Sequence, residues 1–234
     1  MEPSLAARLA LLTTPHLADA SLRVGIEPRV LPPELRTAQP GARFAGRAVP
    51  ARHVGSVDVI LEALERAQPG DVLVVDDAGR RDRASIGDLV ALEAQAAGLG
   101  GILLWGLHRD SAELLEIGLP VMSLGSSPWG PLSVESRPAD ALECAWVGEV
   151  RVTAADVVVA DTDGALVIPL DRLDDIVTQA EIIRETEGRQ AEVIRGGRSL
   201  RDQVRFEEFL TKRSADPSWG FRDHLRQVGG EIEV

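Results

Sequence analysis

The sequence predicts an α/β protein built as one compact domain with helical extensions at its N- and C-terminal ends. Three observations carry that expectation. Between residues 43 and 124, stretches with apolar residues at helical spacing alternate with short apolar runs bounded by glycine or proline, the pattern of strands that feed helices and return to one sheet. Apolar residues make up 44% of the 234, enough to bury a real core and too many for a disordered chain. Leu170 to about Ile194 then carries one long apolar stripe, so the domain is expected over residues 1–198 and a helical extension over 199–234.

Taken in order, residues 4–12 read as a short helix, and Thr14-Pro15 opens a second that ends near Gly25, because threonine caps well and proline fits a first turn. The proline-rich stretch 26–41 reads as an irregular covering loop. Arg43 to Val54 alternates loosely as a strand, and Val57 to Ala67 places Val57, Ile60, Leu61 and Leu64 on one helical face. Past the Pro69-Gly70 turn, Asp71 to Asp76 is a buried strand, followed by the polar loop D-A-G-R-R-D-R-A of 77–84. Ile86 to Ala97 is the next helix, with Ser85 expected as its cap and Gly98, Gly100 and Gly101 ending it. Ile102 to Trp105 is a glycine-bounded strand, Gly106 opens a loop, Ser111 to Ile117 is a short helix closed by Gly118, and Pro120 to Leu124 is another strand. A loop of turn formers, S-S-P-W-G-P, follows at 126–131. Residues 144–152 and 157–160 give further strands, with Cys144 a core residue. Asp161-Thr162-Asp163-Gly164 joins two apolar runs as a hairpin turn, its aspartates serving the turn. A helix to Lys212 precedes a tail whose Trp219 and Phe221 are expected to dock it, with His224 structural.

Chemistry concentrates between Ser85 and Pro120, where one aspartate is followed after twenty residues by Arg-Asp. Arg109 and Asp110 fall just beyond the carboxyl end of a strand, and Asp88 falls in the first turn of the preceding helix, where open α/β sheets hold ligands. Free amides of Asp88, Leu89 and Val90 at a helix start favour an anion, and the planar fork of Arg109 matches a carboxylate. Asp110 is a hard oxygen ligand; with Asp88 nearby to orient waters, it suits Mg²⁺ or Mn²⁺, which keep much of their water shell and take other ligands from substrate. Such a crevice suits a 2-oxo acid. Structural alternatives stand beside each feature: Ser85-x-x-Asp88 and Asp110-x-x-Glu113 both fit capping boxes, and an Arg-Asp dipeptide is often a solvated pair. Arg80, Arg81 and Arg83 face the same crevice and either hold a distal carboxylate or are simply solvated.

Composition narrows the partners. A formal charge of −12, from 25 basic and 37 acidic residues, argues against nucleic acid and anionic membrane, which need a basic surface. The single cysteine cannot form an internal disulfide, and four scattered histidines give no zinc spacing. Without a charged-then-apolar leader or an apolar run of about eighteen residues, a cytoplasmic protein is expected. No G-x-G-x-x-G occurs, so neither a dinucleotide nor a methyltransferase cofactor loop is predicted. Lys212 is the only lysine and lies in the extension, which disfavours imine chemistry.

Five motifs, in order over about residues 10–200, resemble the RraA-like family. They are G-D-V-L-V-V-D at 70–76, G-D-L at 87–89, the D-x20-R-D frame of Asp88, Arg109 and Asp110, G-L-P-V at 118–121, and A-D-x-D-G-x-x-V-I-P at 160–169. The family's enzymes are metal-dependent 4-hydroxy-4-methyl-2-oxoglutarate and 4-carboxy-4-hydroxy-2-oxoadipate aldolases, and D-x20-R-D is its most specific signature. The resemblance implies a layered α/β/β/α sandwich of the swivelling β/β/α type. It implies a pyruvate aldolase that works through an enolate, with oxaloacetate decarboxylation as a second activity. Asp88, Arg109 and Asp110 would then be catalytic, with Mg²⁺ or Mn²⁺ held directly by Asp110 and through water by Asp88. Gly87, Leu89, Val90 and Arg109, with His108, would meet the substrate. A homotrimer or dimer of trimers is implied, in which a glutamate of the adjacent subunit completes the site; by position this is Glu185, with Glu181, Glu187 and Glu192 close by and a solvated helix face the alternative. Trp105 departs from the aspartate that many members carry there. Part of the family resembles RraA regulators, non-catalytic proteins that inhibit a ribonuclease by binding it.

Overall fold

The computed structural model describes residues 3–130 and 134–229, so the end of the loop at 126–131 and the last residues of the tail lie outside the described residues. Two compact units divide the chain, Met1–Ala180 and Glu181–Val234. The division falls inside a long helix rather than at residue 198, because the distal turns of that helix gather with the C-terminal helices, as where Gln203 donates to the Gln190 carbonyl.

The first unit runs α1 (Pro3–Leu9), α2 (Thr14–Arg23), β1 (Arg29–Val30), β2 (Arg36–Thr37), β3 (Phe44–Arg52), α3 (Asp58–Arg66), β4 (Val72–Asp76), β5 (Ala84–Ile86), α4 (Asp88–Ala96), β6 (Gly101–Trp105), β7 (Leu107–His108), α5 (Ser111–Ile117), β8 (Val121–Ser123), β9 (Cys144–Val147), β10 (Val150–Thr153), β11 (Asp156–Ala160) and β12 (Ala165–Pro169). The long helix α6 (Leu173–Arg195) starts there. Eight strands form one mixed sheet in the order β1-β12-β11-β3-β4-β6-β8-β2. Its centre, β3-β4-β6-β8, is parallel, so the carboxyl ends of these strands open on one side.

Alternation along the central strands builds two cores. Leu73 and Val75 of β4, with Ile102 and Leu104 of β6, face Val59, Ile60, Val90, Ala91 and Leu114 of the helices. Val72, Val74 and Leu103 face the other way, onto Ala145, Val147 and Val152 of the β9–β10 hairpin. Helices, main sheet and hairpin therefore stack as layers, and the apolar runs read as buried strands are buried on both faces. The turn at Asp161–Gly164 joins β11 and β12 as expected. Asp161 does more than turn: its carboxylate also accepts the Thr14 amide at 2.8 Å and the Thr14 hydroxyl at 2.7 Å, fixing the start of α2 to the sheet.

Several local expectations are revised. Thr13, not Thr14, caps α2, because the Thr14 side chain is taken by Asp161. The stretch 26–41 is not wholly irregular: β1 and β2 pair antiparallel with β12 and β8 and so cover both edges of the sheet. Ser85 does not cap α4; it lies in β5, which pairs in parallel with β7, and Gly87 precedes the helix. Asp110 does not cap α5 through its side chain, so neither capping box forms.

The second unit holds the distal part of α6, then α7 (Leu200–Gln203), α8 (Phe206–Ala215) and α9 (Phe221–Val228). The single helix expected to Lys212 is broken at Arg205, whose φ of 49° is left-handed. The tail docks within this unit: the Phe209 and Phe221 rings lie 5.0 Å apart, edge to face, and buried His224 bonds the Val204 carbonyl through Nε2 at 2.8 Å. Among the described residues, no helix is long and apolar enough to cross a membrane.

Candidate functional site

The carboxyl ends of the parallel strands open into a cavity of about 350 Å³ in the first unit. Its lining includes His53 after β3, Ser85 and Ile86 of β5, Gly87, Asp88, Leu89 and Val90 at the start of α4, and Arg109 after β7. A larger cavity of about 690 Å³ lies among α7 and α8 in the second unit, but none of the predicted site residues lines it.

The loop after β6 is bound into place on both sides. Arg109 donates its amide to the Ile86 carbonyl at 2.9 Å, and His108 pairs with the Gly125 and Ser127 backbones. Asp110 then turns through a left-handed conformation, φ 57° and ψ 46°. A non-glycine residue there is strained, which is common where geometry serves a ligand. The turn aims the Asp110 carboxylate back at the start of α4, where Oδ2 accepts the Asp88 amide at 3.3 Å and lies 3.3 Å from Arg109 Nε. Gly87 makes this approach possible, since a Cβ there would fall 2.2 Å from Asp110 Oδ2. The spacing D-x20-R-D thus becomes one three-residue cluster.

The anion site expected at the helix start is partly occupied by the chain itself. Asp110 takes the amide of Asp88, and the Asp88 carboxylate accepts the Leu89 amide at 2.8 Å, which leaves Val90 as the amide not engaged by either carboxylate. Arg109 is half-exposed, so its guanidinium reaches into the cavity. Asp110 Oδ1 carries no hydrogen bond within the described residues. Among those residues no group of three or more His, Cys, Asp or Glu forms a metal-holding cluster. Asp110 Oδ1 can therefore be offered to a cation as a hard oxygen ligand, which fits Mg²⁺ or Mn²⁺ with water and substrate as the other ligands.

His108 points away from this cavity. Nδ1 lies 2.8 Å from Ser123 Oγ and Nε2 3.1 Å from Ser111 Oγ, and burial pushes the imidazole below its usual value. Both ring nitrogens are used inside the protein, so its expected contact with substrate has no free edge to make it. Arg80 and Arg83 are also engaged, each with Glu135. Trp105 packs over Gly79, where a Cβ would meet the indole at 2.8 Å. Glu185 is exposed on α6 in the second unit.

Sequence reading missed one feature of the cavity wall. β3 and β4 are in parallel register, Arg52 beside Asp76, so the next residues, His53 and Asp77, meet beyond the strand ends. His53 Nδ1 lies 3.0 Å from Asp77 Oδ1, with side chains only 2% and 1% exposed. A polar residue directly after each of two adjacent parallel strands was the available signal.

Comparison with known proteins agrees with this architecture. The RraA-like family model, described as Aldolase/RraA, matches residues 14–167. A chain from Deinococcus radiodurans, provisionally named 4-hydroxy-4-methyl-2-oxoglutarate aldolase, is 31% identical over 157 residues, 67% of this chain and 94% of that one. One of the same provisional name from Alkalilimnicola ehrlichii is 33% identical over 141 residues, 60% of this chain and 86% of that one. The solved structure of Streptomyces coelicolor RraAS2, described as an unusual member of the RNase ES inhibitor RraA protein family, superposes with a TM-score of 0.71 at 27% identity, over 80% of this chain and 96% of that one. With the motifs of the central strands, the fold and the match over residues 14–167 in agreement, the chain belongs to the RraA-like family.

Proposed function

We propose that the cavity is the pyruvyl site of a carbon–carbon lyase that cleaves a 4-hydroxy-2-oxo acid to pyruvate and a second carbonyl compound. The observation that carries this is the convergence of Arg109 and the start of α4 on one cavity at the carboxyl ends of parallel strands, with the Asp110 carboxylate packed against both. The provisional aldolase names of the relatives support the same reading.

Cleavage of the C3–C4 bond puts negative charge on the pyruvyl oxygen, and the site must stabilise it. Arg109 binds the substrate carboxylate or the developing enolate oxygen through its planar fork. Val90 offers its amide to a carboxylate oxygen at the helix start. Asp110 would hold Mg²⁺ or Mn²⁺ directly and Asp88 through water, and that ion, when bound, supplies Lewis-acid stabilisation of the enolate. Asp88 orients the water that exchanges a proton with the enolate carbon. Oxaloacetate loses CO₂ to the same enolate, so decarboxylation belongs to the proposal, as does assembly into a homotrimer in which Glu185 of a second copy completes the site.

The test is pyruvate release from 4-hydroxy-4-methyl-2-oxoglutarate and from oxaloacetate, with Mg²⁺ or Mn²⁺ and with EDTA, for wild type and Arg109→Ala. Metal-dependent release that disappears in the variant is the expected result. No release above the metal-only background from either compound would sink the proposal. That outcome would favour the second reading, a ribonuclease-binding regulator, which rests on the description of RraAS2 and on a charge of −12 suited to a basic RNA-binding segment.

A further inference from the structure

The buried pair in the cavity wall is not used by the chemistry above. His53 and Asp77 are almost wholly enclosed, yet His53 lines the cavity. The pair is built by the turn after β4, where the amides of Asp77 and Gly79 both donate to the Trp105 carbonyl at 3.1 Å and Ala78 takes a left-handed φ of 56°. Trp105 in turn fits against Gly79, so the residue that departs from the family pattern belongs to the support of this pair.

The geometry favours one tautomer. An unprotonated Nδ1 facing a carboxylate at 3.0 Å would oppose two lone pairs, so the proton sits on Nδ1 and is donated to Asp77; the Gly55 amide, 3.4 Å from the same nitrogen, is the weaker contact. Nε2 then carries a lone pair. It has no hydrogen-bond partner among the described residues, and His53 lines the cavity, so Nε2 is the edge left to it. Among the described residues Asp77 Oδ2 is buried without a hydrogen-bond partner, so the Asp77 carboxyl group stands behind the ring with His53 as its side-chain partner, placed to stabilise a positive imidazolium. A histidine oriented by a carboxylate with its other nitrogen facing a cavity is the arrangement of a proton acceptor.

We propose that His53, positioned by Asp77, takes the proton from the 4-hydroxyl of the substrate. This rests on the lyase reading above. As the O–H proton passes to Nε2, the O–H electron pair forms the new carbonyl and the C3–C4 pair passes to the enolate. Imidazolium releases the proton to cavity water, and the enolate carbon takes its own from the water at Asp88.

Oxaloacetate separates the two claims, because its decarboxylation needs the enolate site but has no hydroxyl proton to remove. His53→Asn is the informative variant, since the amide nitrogen of asparagine can replace Nδ1 opposite Asp77 while Nε2 is deleted. The expected result is a fall of about 100-fold in the ratio of 4-hydroxy-4-methyl-2-oxoglutarate cleavage to oxaloacetate decarboxylation, the usual contribution of one positioned base. Asp77→Asn is expected to lower the same ratio, and added imidazole to restore cleavage in His53→Ala. An unchanged ratio, whether both rates hold or both fall together, would overturn the role of His53 while leaving the lyase intact. Wild type inactive on both compounds would instead overturn the lyase reading, and this proposal with it.

Discussion

Replacing Gly87 with alanine tests whether the Asp110 carboxylate must sit where it does. The backbone at Gly87 is extended, φ −135° and ψ −164°, so a methyl group adds no conformational strain. Its Cβ would nevertheless fall 2.2 Å from Asp110 Oδ2 and 3.1 Å from Arg109 Nε. Ordinary contact begins at 3.4 Å, so the carboxylate must retreat by about 1.2 Å, taking it out of reach of the Asp88 amide. A displacement of about 1 Å in a positioned catalytic group costs on the order of 100-fold in rate. The lost hydrogen bond costs about 1 kcal/mol, which lowers the melting temperature by about 2–4 °C in a chain of this size. Steady-state pyruvate release and a circular-dichroism melt measure both. The expected outcome is a roughly 100-fold loss of kcat/KM with the fold retained. Wild-type kcat/KM in Gly87→Ala, or a chain that no longer folds, would refute the close-packed cluster as the reason for glycine.

Two further predictions concern stability. Asp161 accepts from the Thr14 amide, the Thr14 hydroxyl and the Asp163 amide, so Asp161→Ala should lose about 2–4 kcal/mol in urea unfolding; a change below about 0.5 kcal/mol would show that α2 is held otherwise. Burial holds the folded His108 imidazole below its ordinary 6.5, so the unfolded chain takes up its proton at higher pH than the folded one. Stability from His108 is therefore complete above 6.5 and is lost as pH falls below it toward the folded value. His108→Gln, which cannot titrate, should lose less stability than wild type between about pH 7 and about pH 5; equal slopes would contradict this.

The sequence alone determined what is local. Strands β4 and β6 are legible because their apolar runs are bounded by glycine, and the β11–β12 turn because Asp-Thr-Asp-Gly between two such runs has few other conformations. The motif frame also identified Asp88, Arg109 and Asp110 as neighbours, and the structure brings them together. Tertiary structure decided everything that depends on who lies across from whom. Ser85-x-x-Asp88 and Asp110-x-x-Glu113 spell capping boxes, yet neither forms, because the parallel pairing of β5 with β7 claims Ser85 and a left-handed turn sends Asp110 across to another helix. Both carboxylate oxygens of Asp161 go to α2, some 147 residues away in the chain, so a turn residue became an anchor. Most of all, His53 and Asp77 stand 24 positions apart and neither belongs to a motif. They meet only because β3 and β4 run parallel and in register, and strand register is fixed by the packing of both faces of the sheet rather than by any residue within either strand.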